Sequence, residues 1–473
     1  MNALERLYPR LPIPLQNASC SLEGWRIQRT RFARRFDDLL REAVARSFWR
    51  ADEIQTYRDN NLREFLIYCA SCVPYYRRKF REVDVDPQTI RGLDDLKRLP
   101  LLTKDEVRNH YKEFQPETPL RERTITAHTS GTTGSGLRFA TTLKAVQQQW
   151  AVWWRYRNWH GIKRETWCGY FGGRSVVPLT QTGPPFWRYD YPGRRILFSA
   201  YHMSLSNIDS YLEQLRRSKP LWLHGYPSLL ALLAARILEL SFDLNYELRW
   251  ITTGAENLLP QQRAVIKKAF NVEPRQSYGL AESVANLSEC ELGCLHVDED
   301  FAAVEFVSEK ESSNWKIVGT NFTNPATPLV RYDTGDRATF EGHACSCGRP
   351  GRVVASLDGR QEDYIILKNG ARLGRMDHIF KDMVNIREAQ IRQRRIGEVN
   401  VLIVKGSQYL EADEALLRKE MCLRVGSDTA ISIEYVDKIK RSSTGKIRFV
   451  LSDLETGKLS TGQTENGIVS AGQ

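Results

Sequence analysis

His128-Thr129-Ser130-Gly131-Thr132-Thr133-Gly134-Ser135-Gly136 is the stretch on which the reading of this chain turns. Its side chains are so small that backbone N–H groups and hydroxyls can converge on an anion, phosphate oxygens above all. A short β-rich run, 124–127, precedes it, and a long helical pattern, 143–160, follows. That position, after a strand and before a helix, favours a phosphate loop over a plain Gly/Ser turn. Two common nucleotide fingerprints do not fit. No Lys-Ser or Lys-Thr follows the last glycine, and the spacing is not that of a dinucleotide loop.

Outward from the loop, β-rich runs at 221–224 and 248–252 alternate with helical patterns at 207–217, 228–240 and 260–270. Such alternation predicts βαβ units and a mostly parallel or mixed sheet flanked by helices. Residues 22–81 read as helical, and 301–340 as strand-rich. Beyond a polar, turn-rich segment at 359–373, strands at 399–405 and 430–436 surround a helix at 412–423. The expected architecture is therefore α/β, a large N-terminal domain of mixed sheets with a small mobile C-terminal α/β domain. A helical segment (1–100) packs on the large domain (101–358), a hinge (359–363) leads to the small domain (364–455), and a polar tail (456–473) is expected to be disordered.

With 473 residues, 41% hydrophobic and 26% charged, the chain has ample material for large cores. Its net charge of +11 is spread along the sequence apart from an arginine-rich run at 26–35. A solvated surface or small anionic ligands account for that balance better than nucleic acid does. No secretory signal is read at 1–18, and the apolar run 229–240, interrupted by Arg236 and Glu239, is too short to span a bilayer. Nine scattered cysteines suit a reducing compartment, so the expected location is the cytoplasm, with no membrane partner.

Thr129-Ser-Gly-Thr-Thr-Gly134 resembles the phosphate loop of the adenylate-forming superfamily, the acyl-CoA synthetases, adenylation domains and luciferases. Further segments resemble that family's motifs in its own order. Thr253-Gly254-Ala255-Glu256 resembles the adenine-contacting segment, and Tyr278-Gly279-Leu280-Ala281-Glu282 the Tyr-Gly-x-Thr-Glu motif. Arg331-Tyr-Asp-Thr-Gly-Asp336 resembles the ribose segment, Gly359-Arg360-Gln-Glu362-Asp363 the hinge, and Ser443-Thr-Gly-Lys446 the catalytic-lysine loop. Any one match would be weak; six in order are specific.

The resemblance implies ATP and Mg²⁺ as cofactors and an acyl-AMP intermediate. Glu282 would ligate Mg²⁺, a hard cation that takes carboxylate and phosphate oxygens. Tyr278 would stack on adenine, Asp336 would accept the ribose hydroxyls and Arg360 would reach ribose or phosphate. Glu362 would be the hinge about which the small domain swings, and Lys446 the cation bridging carboxylate and phosphate. Two positions depart from the pattern. Ala281 replaces the motif threonine, and Leu137 and Arg138 stand where the loop's usual lysine would follow.

Trp222-Leu-His-Gly-Tyr-Pro-Ser228, Glu289-Cys290 through Asp300, and Cys345-Ser-Cys347-Gly-Arg349 resemble the phenylacetate–CoA ligase branch and its CapK-like and amide-forming relatives. In some of those, a zinc site corresponds to Cys290, His296, Cys345 and Cys347; thiolate and imidazole are the donors structural zinc takes, and Cys294 is left over. Cys69 and Cys72 read as helix core. The expected reaction activates a small-molecule carboxylic acid and passes the acyl group to CoA. An amine or a carrier protein is the alternative acceptor, and a nucleotide- or nucleic-acid-binding module without turnover is the alternative class. Trp153, Trp154, Trp159, Phe171 and Trp222 suggest an aromatic pocket, although aromatic residues at helical spacing are usually core. Neither oligomeric state nor the identity of the acid is legible.

Overall fold

The computed structural model describes residues 7–454, apart from 34, 129–136, 205, 309–313, 341–344, 359–363, 374–375, 381–382, 384, 407–408 and 441–448. The βαβ alternation becomes the centre of a twelve-stranded sheet. Strands Arg195–Ser199, Cys168–Gly172, Trp222–Gly225, Trp250–Thr253 and Pro274–Gly279 lie side by side and parallel. Helices Ile208–Ser218, Pro227–Leu240 and Pro260–Phe270 make the crossovers between them, as parallel pairing requires. Alternate strand residues (Phe171, Leu223, Ile251) bury against these helices with Leu212, Leu230 and Ile266 in one apolar core.

The other half of the sheet is antiparallel and continues from Pro274–Gly279 through Asn286–Glu289, Leu295–Val297, Val353–Asp358 and Tyr332–Phe340 to Asn314–Thr320 and Ala303–Ser308. A separate four-stranded sheet, built of Ile386–Arg395, Glu398–Lys405, Ala430–Tyr435 and Val450–Ser452, packs with helix Glu411–Val425 around its own core of Ile391, Val401, Leu417 and Met421. The mixed α/β fold class expected from sequence is present.

Of the four long N-terminal helices, Ile13–Arg31, Phe36–Arg46, Ala51–Cys72 and Pro74–Glu82, the middle two are tied to the sheet by buried ion pairs. The acidic run Asp298-Glu299-Asp300 is almost wholly buried. Asp298 and Asp300 take the guanidinium of Arg155 at 2.6 and 2.7 Å, Asp300 also takes Arg46 at 2.7 Å, and Glu299 takes Arg58 and Arg352 at 2.8 and 2.6 Å. Each buried carboxylate thus meets at least one cation, the condition under which burying charge is tolerable. Cys69 is core, as expected, fully buried on its helix.

One local expectation is corrected. The Gly/Ser/Thr loop does not run into the helix. Thr124–His128 and Arg138–Thr142 form an antiparallel hairpin, with His128 opposite Arg138, and the helix begins only at Leu143. Phe139 is buried and Arg138 exposed on that second strand, an alternation of period two that the following helical pattern concealed. Residues 129–136 lie outside the described residues.

Candidate functional site

Parallel sheets place ligands outside the carboxyl ends of their strands, and two of the predicted segments lie there. Gly254, Ala255 and Glu256 follow strand Trp250–Thr253, and the residues to Glu282 follow Pro274–Gly279. The backbone is unusual at both turns. Ala255 (φ 67°) and Ser283 (φ 58°) occupy the left-handed region, as does Arg331 (φ 54°) at the head of the third segment. Non-glycine residues are held in this region only where the surroundings dictate it.

Two side-chain ties draw the Tyr278–Glu282 segment and the Arg331–Asp336 segment together. Tyr278 donates its hydroxyl to Asp336 Oδ2 at 3.0 Å, and Tyr332 donates to Glu282 Oε1 at 3.5 Å. Burial, reinforced by the Asp336 carboxylate, holds the Tyr278 hydroxyl well above its ordinary pKa, so it stays a donor. The turn is fixed from beneath by fully buried Asn321, which donates to the Glu282 carbonyl at 3.1 Å. Glu282 itself is 8% exposed. A carboxylate so placed carries the oxygen donors a hard divalent cation takes.

The other predicted residues divide. Glu256 accepts the backbone N–H of Ser228 at 3.3 Å, at the start of helix Pro227–Leu240, where the helix dipole favours a carboxylate. Gly279 faces helix Leu143–Trp159 so closely that a Cβ would lie 2.5 Å from Asn286 Oδ1 and 3.1 Å from Trp153 Nε1. Arg331 is structural: it is buried against Glu305 at 2.9 Å and donates to the carbonyl of Leu99. Exposed Ala281 and Arg138, with buried Leu137, occupy the departures from the motif pattern. Thr129, Ser130, Gly131, Thr132, Thr133, Gly134, Arg360, Glu362 and Lys446 lie outside the described residues.

Sequence reasoning missed the contribution of helix Leu143–Trp159. Gln149 donates to the Leu280 carbonyl at 2.8 Å and Trp153 to Asn286 at 2.7 Å, so one helix face abuts the motif turn. The available signal was Gln149, Trp153 and Arg157 at four-residue spacing on an otherwise apolar stripe. The aromatic pocket is partly corrected. Trp153, Trp154 and Trp222 line the helix–sheet interface, whereas Phe171 stacks on Phe198 in the opposite core at 4.4 Å. Trp159 bonds Ser47 at 3.0 Å.

The cysteine–histidine set comes together as expected. One donor atom from each of Cys290, His296, Cys345 and Cys347 lies within 4.8 Å of the others. The Cys290–Cys345 sulfur separation is 3.8 Å, and Cys347 Sγ lies 3.3 Å from His296 Nε2. Bonds of ~2.3 Å in a tetrahedron give edges of ~3.8 Å between sulfurs, so the donor set fits a closed structural site. His296 Nδ1 is buried without a partner among the described residues, so the usual outer hydrogen bond is not evident. Cys294 is a free cysteine beside the set.

Comparison with known proteins bears on the fold. Residues 365–453 match the CapK C-terminal domain. The chain is 24% identical to Protein CapK of Staphylococcus aureus over 96% of its own length and 100% of that protein. It is 25% identical to phenylacetate-coenzyme A ligase of Thermus thermophilus over 67% of its length and 72% of that enzyme. Among solved structures, 2-hydroxyisobutyryl-CoA ligase in complex with 2-HIB-AMP and CoA superposes with a TM-score of 0.53 at 18% identity, covering 86% of this chain and 91% of that one.

Proposed function

We propose that the chain, similar to CapK over almost its whole length and to phenylacetate–CoA ligases over two thirds of it, is an AMP-forming acid ligase of the adenylate-forming kind. It activates a carboxylic acid with ATP as acyl-AMP, releases pyrophosphate and transfers the acyl group to CoA. The observation that carries this reading is the pair of ties joining Tyr278 to Asp336 and Glu282 to Tyr332. They bring two segments far apart in sequence to the carboxyl end of the parallel sheet, each with a buried or half-buried carboxylate.

On this reading Asp336, oriented by Tyr278, accepts the ribose hydroxyls, and Glu282 would hold Mg²⁺, which supplies charge neutralisation at the phosphates. Residues 129–134 cradle phosphate, Arg360 contacts the nucleotide and Lys446 bridges carboxylate and α-phosphate. The sheet of 386–452 swings about Glu362 between the two half-reactions. CoA as acceptor is supported by the names of the CoA ligase relatives. Cys290, His296, Cys345 and Cys347 would hold a structural zinc that staples the loop before Val353–Asp358 to the hairpin of 286–297; it takes no part in the chemistry. No described helix is long and apolar enough to cross a membrane.

The test is a panel of acids assayed for pyrophosphate release, with CoA, amines and a carrier protein supplied in turn. Acid-dependent AMP formation accelerated by CoA is expected. Acceleration by an amine alone would move the assignment to amide formation. In Lys446→Ala, acid activation falls far more than acyl transfer from preformed acyl-AMP; equal losses would remove Lys446 from the first step.

A further inference from the structure

Two arginines two positions apart on helix Leu143–Trp159 are treated in opposite ways. Arg155 is buried with two carboxylates, Asp298 and Asp300. Arg157 is 7% exposed and has no carboxylate within ion-pair distance among the described residues. Its polar contact is the Trp153 carbonyl at 3.3 Å, and its Nε is buried without a partner. The guanidinium is instead surrounded by the rings of Trp154, Trp222 and Trp150, at 5.0, 5.4 and 5.8 Å.

More positive charge converges on the same place. Arg31 reaches over from the first long helix with its guanidinium 4.0 Å from the Trp150 ring. Among the described residues it too has no carboxylate partner. Arg195 lies 5.7 Å from the Tyr170 ring, but its charge is taken by Asp190 at 2.9 Å. On the neighbouring strands, Tyr170, His224 and Thr252 share one register across three parallel strands. Burial, with Arg157 next, pushes His224 down to about 3, so it remains neutral beside Thr252 and cannot serve as an anion or add a charge. Burial likewise lowers Arg157 to about 10 and Arg31 to about 9.

Stacking on indole offsets part of the cost of burying a cation, but an unpaired one remains unfavourable, and this fold pairs its other buried arginine on the same helix. The place is also next to the proposed chemistry. Trp150, Trp153, Trp154 and Arg157 share a helix face, Trp153 packs on Gly279, and Thr252 leads into the Thr253–Glu256 segment.

We propose that the acid this chain activates carries a second negative group, a carboxylate or phosphate remote from the reacting carboxyl, and that Arg157, assisted by Arg31, binds it. This assignment rests on the acid activation proposed above and names its substrate class; Arg157 and Arg31 are specificity-determining residues.

The experiment uses the full chain and matched acids: phenylacetate, 4-carboxyphenylacetate and 4-phosphonophenylacetate. Pyrophosphate exchange gives kcat/KM for each, and tryptophan fluorescence without ATP gives binding independently of turnover. The expected result is that a dianionic acid exceeds the neutral-tailed one by about 10-fold or more, and that Arg157→Gln lowers that ratio by about 10- to 100-fold, the scale of a hydrogen bond to a charged group. Carboxylate and phosphonate arms distinguish the two anions. A wild-type protein that prefers phenylacetate, or a ratio unchanged in Arg157→Gln, overturns the proposal. If Arg157→Gln does not fold, the wild-type ratio and Arg31→Gln decide it. If no acid supports exchange, acid activation fails. The arginine cluster is then judged by fluorescence alone: dianion binding lost in Arg31→Gln supports it, and absence of dianion binding refutes it.

Discussion

Replacing Arg155 with Met would expose how the N-terminal helices are held. The guanidinium donates to Asp298 at 2.6 Å, to Asp300 at 2.7 Å and to the Ala43 carbonyl at 3.3 Å, all buried. Met keeps the length and removes the charge. Two charge-assisted hydrogen bonds at roughly 1.5–3 kcal/mol each set the upper scale, and losing one partner of a buried pair costs about 3–5 kcal/mol. Asp300 keeps Arg46 at 2.7 Å, and Asp298 keeps donors from Asn286 and Ser288. The lower half of that range therefore applies, about 3 kcal/mol. Asp298, already pushed up by burial, would take a proton and limit the loss further. Amide hydrogen exchange in helix Phe36–Arg46 is the assay, because it reads local opening rather than global unfolding of a large chain. Exchange should accelerate by about 100-fold, and adding Asp298→Asn should recover part of it. Exchange within threefold of wild type would show that the acidic run does not anchor these helices.

Three further predictions follow from the same geometry. Burial raises the carboxyls of Asp300 and Glu299, but Arg155 and Arg46 for the one, and Arg352 and Arg58 for the other, hold both below their ordinary values. Their stabilisation is therefore complete above the unfolded range near ~4 and is lost as pH falls below it; thermal melts from pH 6 to 3 should show the drop, with Asp298, whose shift is opposite, protonating first. Protein purified without chelators should carry about one equivalent of zinc by elemental analysis, falling below about a tenth in Cys347→Ser; a metal-free wild type would refute the site. Ala281 is exposed, so Ala281→Thr has room for its hydroxyl and should raise the pyrophosphate-exchange rate by up to about 10-fold; an unchanged rate would mean that position does not meet phosphate.

Part of the parallel half of the sheet was legible, because the crossover helices at 208–218, 227–240 and 260–270 carry helical periodicity and strands Trp222–Gly225 and Trp250–Thr253 alternate with them. Strands Cys168–Gly172, Arg195–Ser199 and Pro274–Gly279 were not: Gly169 and Gly172 break up the first, the second has only three apolar residues and the third is mostly polar, and their pairing is long-range. The hairpin at 124–142 was hidden for a similar reason: Arg138–Thr142 is five residues long and abuts a helix with a stronger pattern. At the candidate site, the resemblance to the family's motifs singled out Glu282, Tyr278 and Asp336, whose segments the fold brings together. It could not show that Tyr332 reaches Glu282, that Arg331 turns away to Glu305, or that Glu256 sits at a helix start. Those depend on register and backbone conformation. The contrast between Arg155 and Arg157 was equally invisible, because both are arginines on one helix and only their partners differ.

Acyl-AMP formation requires the acid's own carboxylate oxygen to attack the α-phosphate of ATP. An acid that supports turnover, labelled with ¹⁸O in its carboxyl group, tests this directly when the nucleotide product is examined by mass spectrometry. AMP should carry one ¹⁸O atom per turnover, with pyrophosphate unlabelled. AMP without label, or ADP and phosphate in its place, would contradict it.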